Sequence, residues 1–225
     1  MRGRVRRRFA AIFLAAAAAL GGVVPAAAAA PDPILLVHGW RGDTSTWADM
    51  IAMFEEQGRT AVAIDLATED NIRNAAQIRD FIAAQGWSRA DIVAQSMGGL
   101  SSRHFIKFLK PSVVDSYVSL GTRQYGIYSA CVLPSSSGGQ MCPTSRFLRD
   151  LNRGDDTPNA GSPAVYWTTI YSTTDGVVPT SSSRLDGGAC HVQVPGPGHN
   201  EMDNDRTVFT HVLAAVDRTC SGTFK

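Results

Sequence analysis

Ala90-Asp91-Ile92-Val93-Ala94-Gln95-Ser96-Met97-Gly98-Gly99-Leu100 runs from a short apolar stretch into helical spacing through a serine flanked by small residues. Ala94 stands two positions before that serine and Gly98 two after it, close to G-x-S-x-G with alanine for the first glycine. A turn this sharp strains the serine backbone, and only small neighbours avoid collision there. It lifts the hydroxyl above the end of a strand and aims the following N–H groups at whatever the oxygen attacks. The segment therefore reads as a nucleophilic serine on a strand-to-helix turn.

Working outward, apolar runs alternate with helical periodicity, the pattern of a mostly parallel sheet covered by helices on both faces. Strands are expected at Ile34–Val37, Ala61–Ile64, Ala90–Gln95, Val113–Leu120, Ala164–Tyr171 and Cys190–Val194. Helices are expected at Thr46–Gln57, Ile72–Gln85, Leu100–Leu109, Ser145–Asn152 and Asp205–Val216, with Gly58 and Gly86 stopping the first two. Residues 122–163 shift to Gly, Ser and Pro with two cysteines, one excursion rather than a linker because a buried strand follows it. Without a long apolar helix in that excursion, no long lid helix is expected. The fold class is α/β.

Residues 1–30 read as a secretory signal peptide. Arg2, Arg4, Arg6, Arg7 and Arg8 precede the apolar run Phe9–Val24, and Pro25–Ala30 offers A-x-A cleavage sites at about 26–30. The remainder, 31–225, is expected to be one domain. Without the five leader arginines it carries 16 basic against 20 acidic side chains, about −4. A mildly acidic chain without basic clusters argues against a nucleic-acid partner. Four cysteines in an exported chain suggest two disulfides, for which three connectivities are possible. Cys131–Cys142, within one Gly/Ser-rich loop, with Cys190–Cys220 is the favoured pairing. No paired Cys/His spacing of a metal site is present, so no metal is expected.

Function in open parallel sheets gathers at the carboxyl ends of the strands. Three polar residues fall there: Ser96 after the third strand, Asp175 after the fifth, and His199 in a Gly-rich loop after the last. The order Ser, Asp, His is that of α/β-hydrolases. A serine hydroxyl needs a base within hydrogen-bond reach, a role suited to histidine, and an aspartate on the other ring nitrogen would hold the tautomer. Oxyanion donors are expected from the backbone N–H groups of Trp40 and Met97, leaving His38 to brace the loop. Asn204 or Asp205 is expected to cap the last helix.

Val37-His38-Gly39, Ala94–Gly99, Leu120-Gly121, Tyr171-Ser172 with Asp175, Ser183–Gly187 and Gly198-His199 together resemble the small secreted bacterial lipases of the α/β-hydrolase superfamily, lipase class 2. The likeness spans about residues 33–216. It implies ester hydrolysis on acylglycerols without a cofactor, with Ser96, Asp175 and His199 as the triad and Trp40 and Met97 as oxyanion donors. Gln95 departs from the histidine usual at that position, and Trp40 from a smaller aliphatic residue. Trp40, Met97, Tyr125, Ile127 and Tyr128 are expected to line an acyl groove for short-to-medium chains. The expectation is a secreted, extracellular, monomeric lipase or esterase that touches a lipid–water interface transiently. Polyester (cutin-like) or thioester hydrolysis by the same triad, and a non-catalytic binding module, are the alternatives.

Overall fold

The computed structural model describes residues 30–109, 112–158 and 164–224. Residues 1–29 of the proposed leader (1–30), residues 110–111, residues 159–163 of the excursion and residue 225 lie outside them. Pro31–Lys225 form one compact unit. Seven strands make one sheet in the order β2-β1-β3-β4-β5-β6-β7, with β1 Ile34–Val37, β2 Ala61–Ile64, β3 Ala90–Gln95, β4 Val114–Leu120, β5 Tyr166–Ser172, β6 Cys190–Val194 and β7 Thr223–Phe224. The first six run parallel and β7 pairs antiparallel with β6.

Because strand side chains alternate faces, each apolar run feeds two cores. Ile34, Leu36, Val93, Val118, Ile170 and Val192 pack with Trp47, Met50 and Phe54 near α1 (Ala48–Glu56) and with Val208, Phe209 and Val212 from the last helix. Leu35, Val37, Ile92, Ala94 and Tyr117 point the other way, onto Ile78 and Ile82 of α2 (Asn71–Ala84) and onto Phe105 and Ile106. A one-residue slip of any central strand would exchange the two sets.

α3 begins at Met97, three residues before its expected start, and runs to His104 before widening into a π turn at Phe105–Leu109. Gly98 and Gly99 concealed that first turn, since glycine disfavours helices. Their presence is steric. A Cβ on Gly98 would overlap the backbone oxygens of His38 and Val37, and one on Gly99 would overlap Thr122.

The excursion leaves the carboxyl end of β4 and folds over α3. Two 3₁₀ turns, Tyr128–Val132 and Gly139–Met141, precede α4 (Arg146–Leu151). Ala130, Met141, Phe147, Leu148 and Leu151 bury a third cluster with Met97 and Leu100. Cys131–Cys142 staples it, and Cys190–Cys220 ties β6 to the chain end that forms β7, so both favoured pairings are present. Asn71 anchors the excursion through its N–H and Nδ2, both donating to Gln140 Oε1. Among the described residues the longest helix here is the six-residue α4, and no long lid helix is present. The four-residue α5 (Thr180–Ser183) and β7 were not foreseen, being too short to leave a periodic pattern. Asp205 caps α6 (Arg206–Val216), its Oδ1 accepting from Val208 N–H at 2.9 Å.

Candidate active site

Four strand ends converge at one rim of the sheet. At the end of β3, Ser96 has φ 53° and ψ −123°, a left-handed backbone rare for a residue with a Cβ. The strain is held by its neighbours: Ser96 N–H donates to Leu120 O at 2.9 Å, and α3 starts at the next residue. The small residue needed two places after the serine is Gly98, wedged on the carbonyls of Val37 and His38. Ala94 two places before lies inside the sheet in register with Val37 and Ser119, where a methyl is accommodated.

His199 approaches from the loop after β6. Its Nε2 lies 2.9 Å from Ser96 Oγ and its Nδ1 lies 2.8 Å from Asp175 Oδ2. Asp175, in the loop after β5, spends its other oxygen on the N–H groups of Val177 and Val178, at 2.9 and 2.6 Å. Burial pushes the Asp175 carboxyl up, but the hydrogen bond from His199, those from the two valine N–H groups and the electrostatic pull of the imidazole outweigh it. The carboxyl is held below its ordinary range. All three side chains are buried.

The His199 backbone is pinned at both ends. Its N–H donates to Asp175 O at 3.1 Å, and its carbonyl accepts from Gln95 Nε2 at 3.1 Å. Gln95 thus gains a positioning role that its place beside Ser96 hinted at but did not specify. Gly121, after β4, is a second residue the sequence reading left without a role. It has φ +54°, and a Cβ there would come 2.8 Å from Asp175 Oδ2 and 3.2 Å from His199 Nδ1. Any side chain would intrude on the hydrogen bond between those two groups.

The loop after β1 closes the arrangement. His38 Nε2 accepts from Leu66 N–H at 2.9 Å and Nδ1 donates to Gly39 O at 2.8 Å, so both ring nitrogens are spent on backbone and the ring braces the loop. A Cβ on Gly39 would fall 2.9 Å from Ser96 Cβ and 2.5 Å from Gln95 Oε1, so glycine lets this loop reach the serine. Among the described residues, neither Trp40 N–H nor Met97 N–H has an acceptor within the protein. Trp40 and Ile127 line one pocket with Leu133 and Met141, while Tyr125, Ile127 and Tyr128 line a neighbouring one. The Met97 side chain, expected in the groove, is instead buried in the third cluster, because the excursion folds over it. The Tyr125 hydroxyl is held by Asp156 Oδ2 and Asp186 N–H, both at 2.9 Å.

The sequence model of the lipase (class 2) family matches residues 31–219. The chain belongs to the class 2 lipases. Solved structures share the fold of this class 2 lipase. The mature form of lipase BlEst2 from Bacillus licheniformis superposes with a TM-score of 0.68 at 20% identity, over 83% of this chain and 92% of that one. MGS-MChE2, an α/β-hydrolase enzyme from the metagenome of sediments of the Mar Chica lagoon in Morocco, matches with a TM-score of 0.62 at 18% identity, over 82% and 89%. The architecture is that of an α/β-hydrolase, and the family makes the chain a hydrolase.

Proposed function

We propose that this class 2 lipase is an exported serine hydrolase of carboxylic esters, acting through a Ser96–His199–Asp175 triad. The observation that carries the reading is the unbroken line from Asp175 Oδ2 through both nitrogens of His199 to Ser96 Oγ, at 2.8 and 2.9 Å. In the reaction Ser96 Oγ attacks the ester carbonyl while His199 Nε2 accepts its proton. The negative charge that develops on the carbonyl oxygen meets the N–H groups of Met97, at the start of α3, and of Trp40. Such donors are worth on the order of 100- to 1000-fold in rate each. His199 then returns the proton to the departing alkoxide, leaving an acyl-enzyme. Water attacks that ester by the same exchange of protons and frees Ser96. Asp175 keeps Nδ1 protonated and stabilises the transient imidazolium.

The chemistry needs neither metal nor cofactor. Acylglycerols and other short-to-medium-chain esters are the proposed substrates, with Trp40 and Ile127 against the acyl chain and Tyr125 and Tyr128 beyond. A monomer acting outside the cell fits the two disulfides, which persist in oxidising compartments. The test is covalent labelling of the mature protein by a fluorophosphonate, with rates on p-nitrophenyl esters from acetate to palmitate. Labelling abolished by Ser96→Ala is expected. Labelling that survives that change, or a wild-type protein that neither labels nor hydrolyses any ester, overturns the reading.

A further inference from the structure

Two arginines near the excursion are buried, and the protein treats them differently. Arg103 is 0% exposed and fully satisfied: it pairs with Asp156 Oδ1 at 2.8 Å and donates to the carbonyls of Gln124, Leu151 and Asp156. Arg123 is 7% exposed and has nothing comparable. Its Nε is buried with no hydrogen-bond partner, and its Nη1 meets only Met141 Sδ, at 3.4 Å. All 20 Asp and Glu side chains of the chain lie among the described residues, and none of them forms an ion pair with Arg123. Asp175 contributes a favourable field, but both its oxygens are committed to His199, Val177 and Val178. A guanidinium stays charged at any physiological pH, and burying it unpaired is costly.

Arg123 faces a pocket of about 280 Å³ that it shares with Trp40, Ile127, Ser129, Leu133 and Met141. A second unpartnered donor is found there, the buried Trp40 Nε1. Gly138, at φ +105°, packs against the indole edge, where a Cβ would come 3.0 Å from that nitrogen. The pocket thus offers N–H donors in an apolar wall, with no carboxylate among its lining residues. No triad residue lines it, but two of its wall residues lie close along the chain to residues that pack on the triad. Trp40 follows Gly39, which packs on Ser96, and Arg123 comes two residues after Gly121, at most about 7 Å along the chain.

We infer that this pocket binds an anionic group of the substrate, with Arg123 and the Trp40 indole N–H as its donors, so that the enzyme favours esters carrying a carboxylate or phosphate close to the scissile bond. The inference rests on the Ser96 reading above and names the substrate class of that site. A guanidinium takes either anion in a paired, planar geometry, and hydrogen bonds to ionised groups are about twice as strong as neutral ones. Until substrate arrives, the charge is held by the surrounding fold. Substrate binding then supplies the missing acceptor.

Two matched pairs separate the sources of the anion: ethyl hydrogen adipate against diethyl adipate, and dihexanoyl phosphatidic acid against dihexanoylglycerol below micellar concentration. Wild-type kcat/KM per ester bond is expected to favour the anionic member of at least one pair by about tenfold, chiefly through KM, with the preference shrinking in 1 M salt. In Arg123→Gln the anionic-to-neutral ratio should collapse to about one, and Arg123→Lys should retain part of it. A wild-type preference for the neutral member of both pairs overturns the inference without any variant. So does an unchanged ratio in folded Arg123→Gln. If that variant does not fold, the Arg123→Lys ratio and the wild-type salt dependence decide. Fluorophosphonate labelling of the same samples reads the Ser96 site separately: labelled protein with a flat ratio denies only the anion pocket, and unlabelled wild type denies the triad.

Discussion

Replacing Asp175 by asparagine keeps the shape of the side chain but changes which of its atoms can accept a hydrogen bond. One carboxylate oxygen receives the Val177 and Val178 N–H groups, at 2.9 and 2.6 Å, and the other faces His199 Nδ1 at 2.8 Å. In Asp175→Asn the amide oxygen must stay with the two backbone donors. The reversed amide would set an NH₂ against two N–H groups and leave both unsatisfied, at about 1–3 kcal/mol each. The NH₂ therefore faces Nδ1 and forces that nitrogen to accept, which moves the ring proton to Nε2. Nε2–H then points at Ser96 Oγ, 2.9 Å away, and can no longer take its proton. The expected loss in kcat is roughly 10⁴-fold, or about 5.5 kcal/mol in the barrier. Folding should be little affected because the backbone bonds to the side chain are retained. The assay is steady-state hydrolysis of p-nitrophenyl butyrate beside the rate of fluorophosphonate labelling, with urea unfolding as the control. A variant that kept more than about a tenth of the wild-type rate would refute the tautomer argument. Attention would then turn to Asp203, a buried carboxyl within the electrostatic reach of His199 that burial pushes up to about 6.

Gly98→Ala must displace the backbone carbonyls of Val37 and His38, and the destabilisation should reach or exceed the upper end of the roughly 1–3 kcal/mol typical of overpacking, read as a lowered urea midpoint. Replacing both Cys190 and Cys220 by serine opens a loop of 30 residues and should cost roughly 4 kcal/mol, against roughly 3 for the 11-residue Cys131–Cys142 loop. Calorimetry should show the larger fall in Tm for the first pair; equal falls would contradict the loop-length reasoning. At the amino end of β3, burial and the like charges of Asp115 and Asp32 push the Asp91 carboxyl up to about 7, despite Arg59 at 3.3 Å. A folded-state pKa above the unfolded value means that the folded protein holds more protons between about pH 4 and 7, so this group's contribution to stability is lost as pH rises through that window. Asp91→Asn, which leaves Arg59 paired with Asp217 at 2.7 Å, should lose less Tm than wild type between pH 5 and 8. Parallel curves would dismiss the effect.

The elements legible in the chain were those with length and period. β1, β2, β3 and β6 begin and end where they were expected; β1 is the clearest case, four consecutive apolar residues all buried because the strand is covered on both faces. What escaped was short or governed by contact at a distance: the first turn of α3, written in glycines, together with α5 and β7. The groove shows the same division. Tyr125, Ile127 and Tyr128 line a pocket, and whether Met97 faced solvent or core depended on how the excursion folded over α3.

Ser96, Asp175 and His199 could be singled out from the sequence because parallel sheets put strand-end loops on one rim, and each residue follows its own strand. Order along the chain was sufficient for that. Their distances were not, and neither were the roles of Gln95 and Gly121, which act on His199 and Asp175 across 104 and 54 residues of chain. Nor does any local pattern distinguish Arg103, neutralised by an aspartate 53 residues away, from Arg123, which has no such partner. Apolar periodicity is local and survives in one dimension. Pairing, steric clearance and the environment of a buried charge are set by which distant segments meet, and only the folded chain decides them.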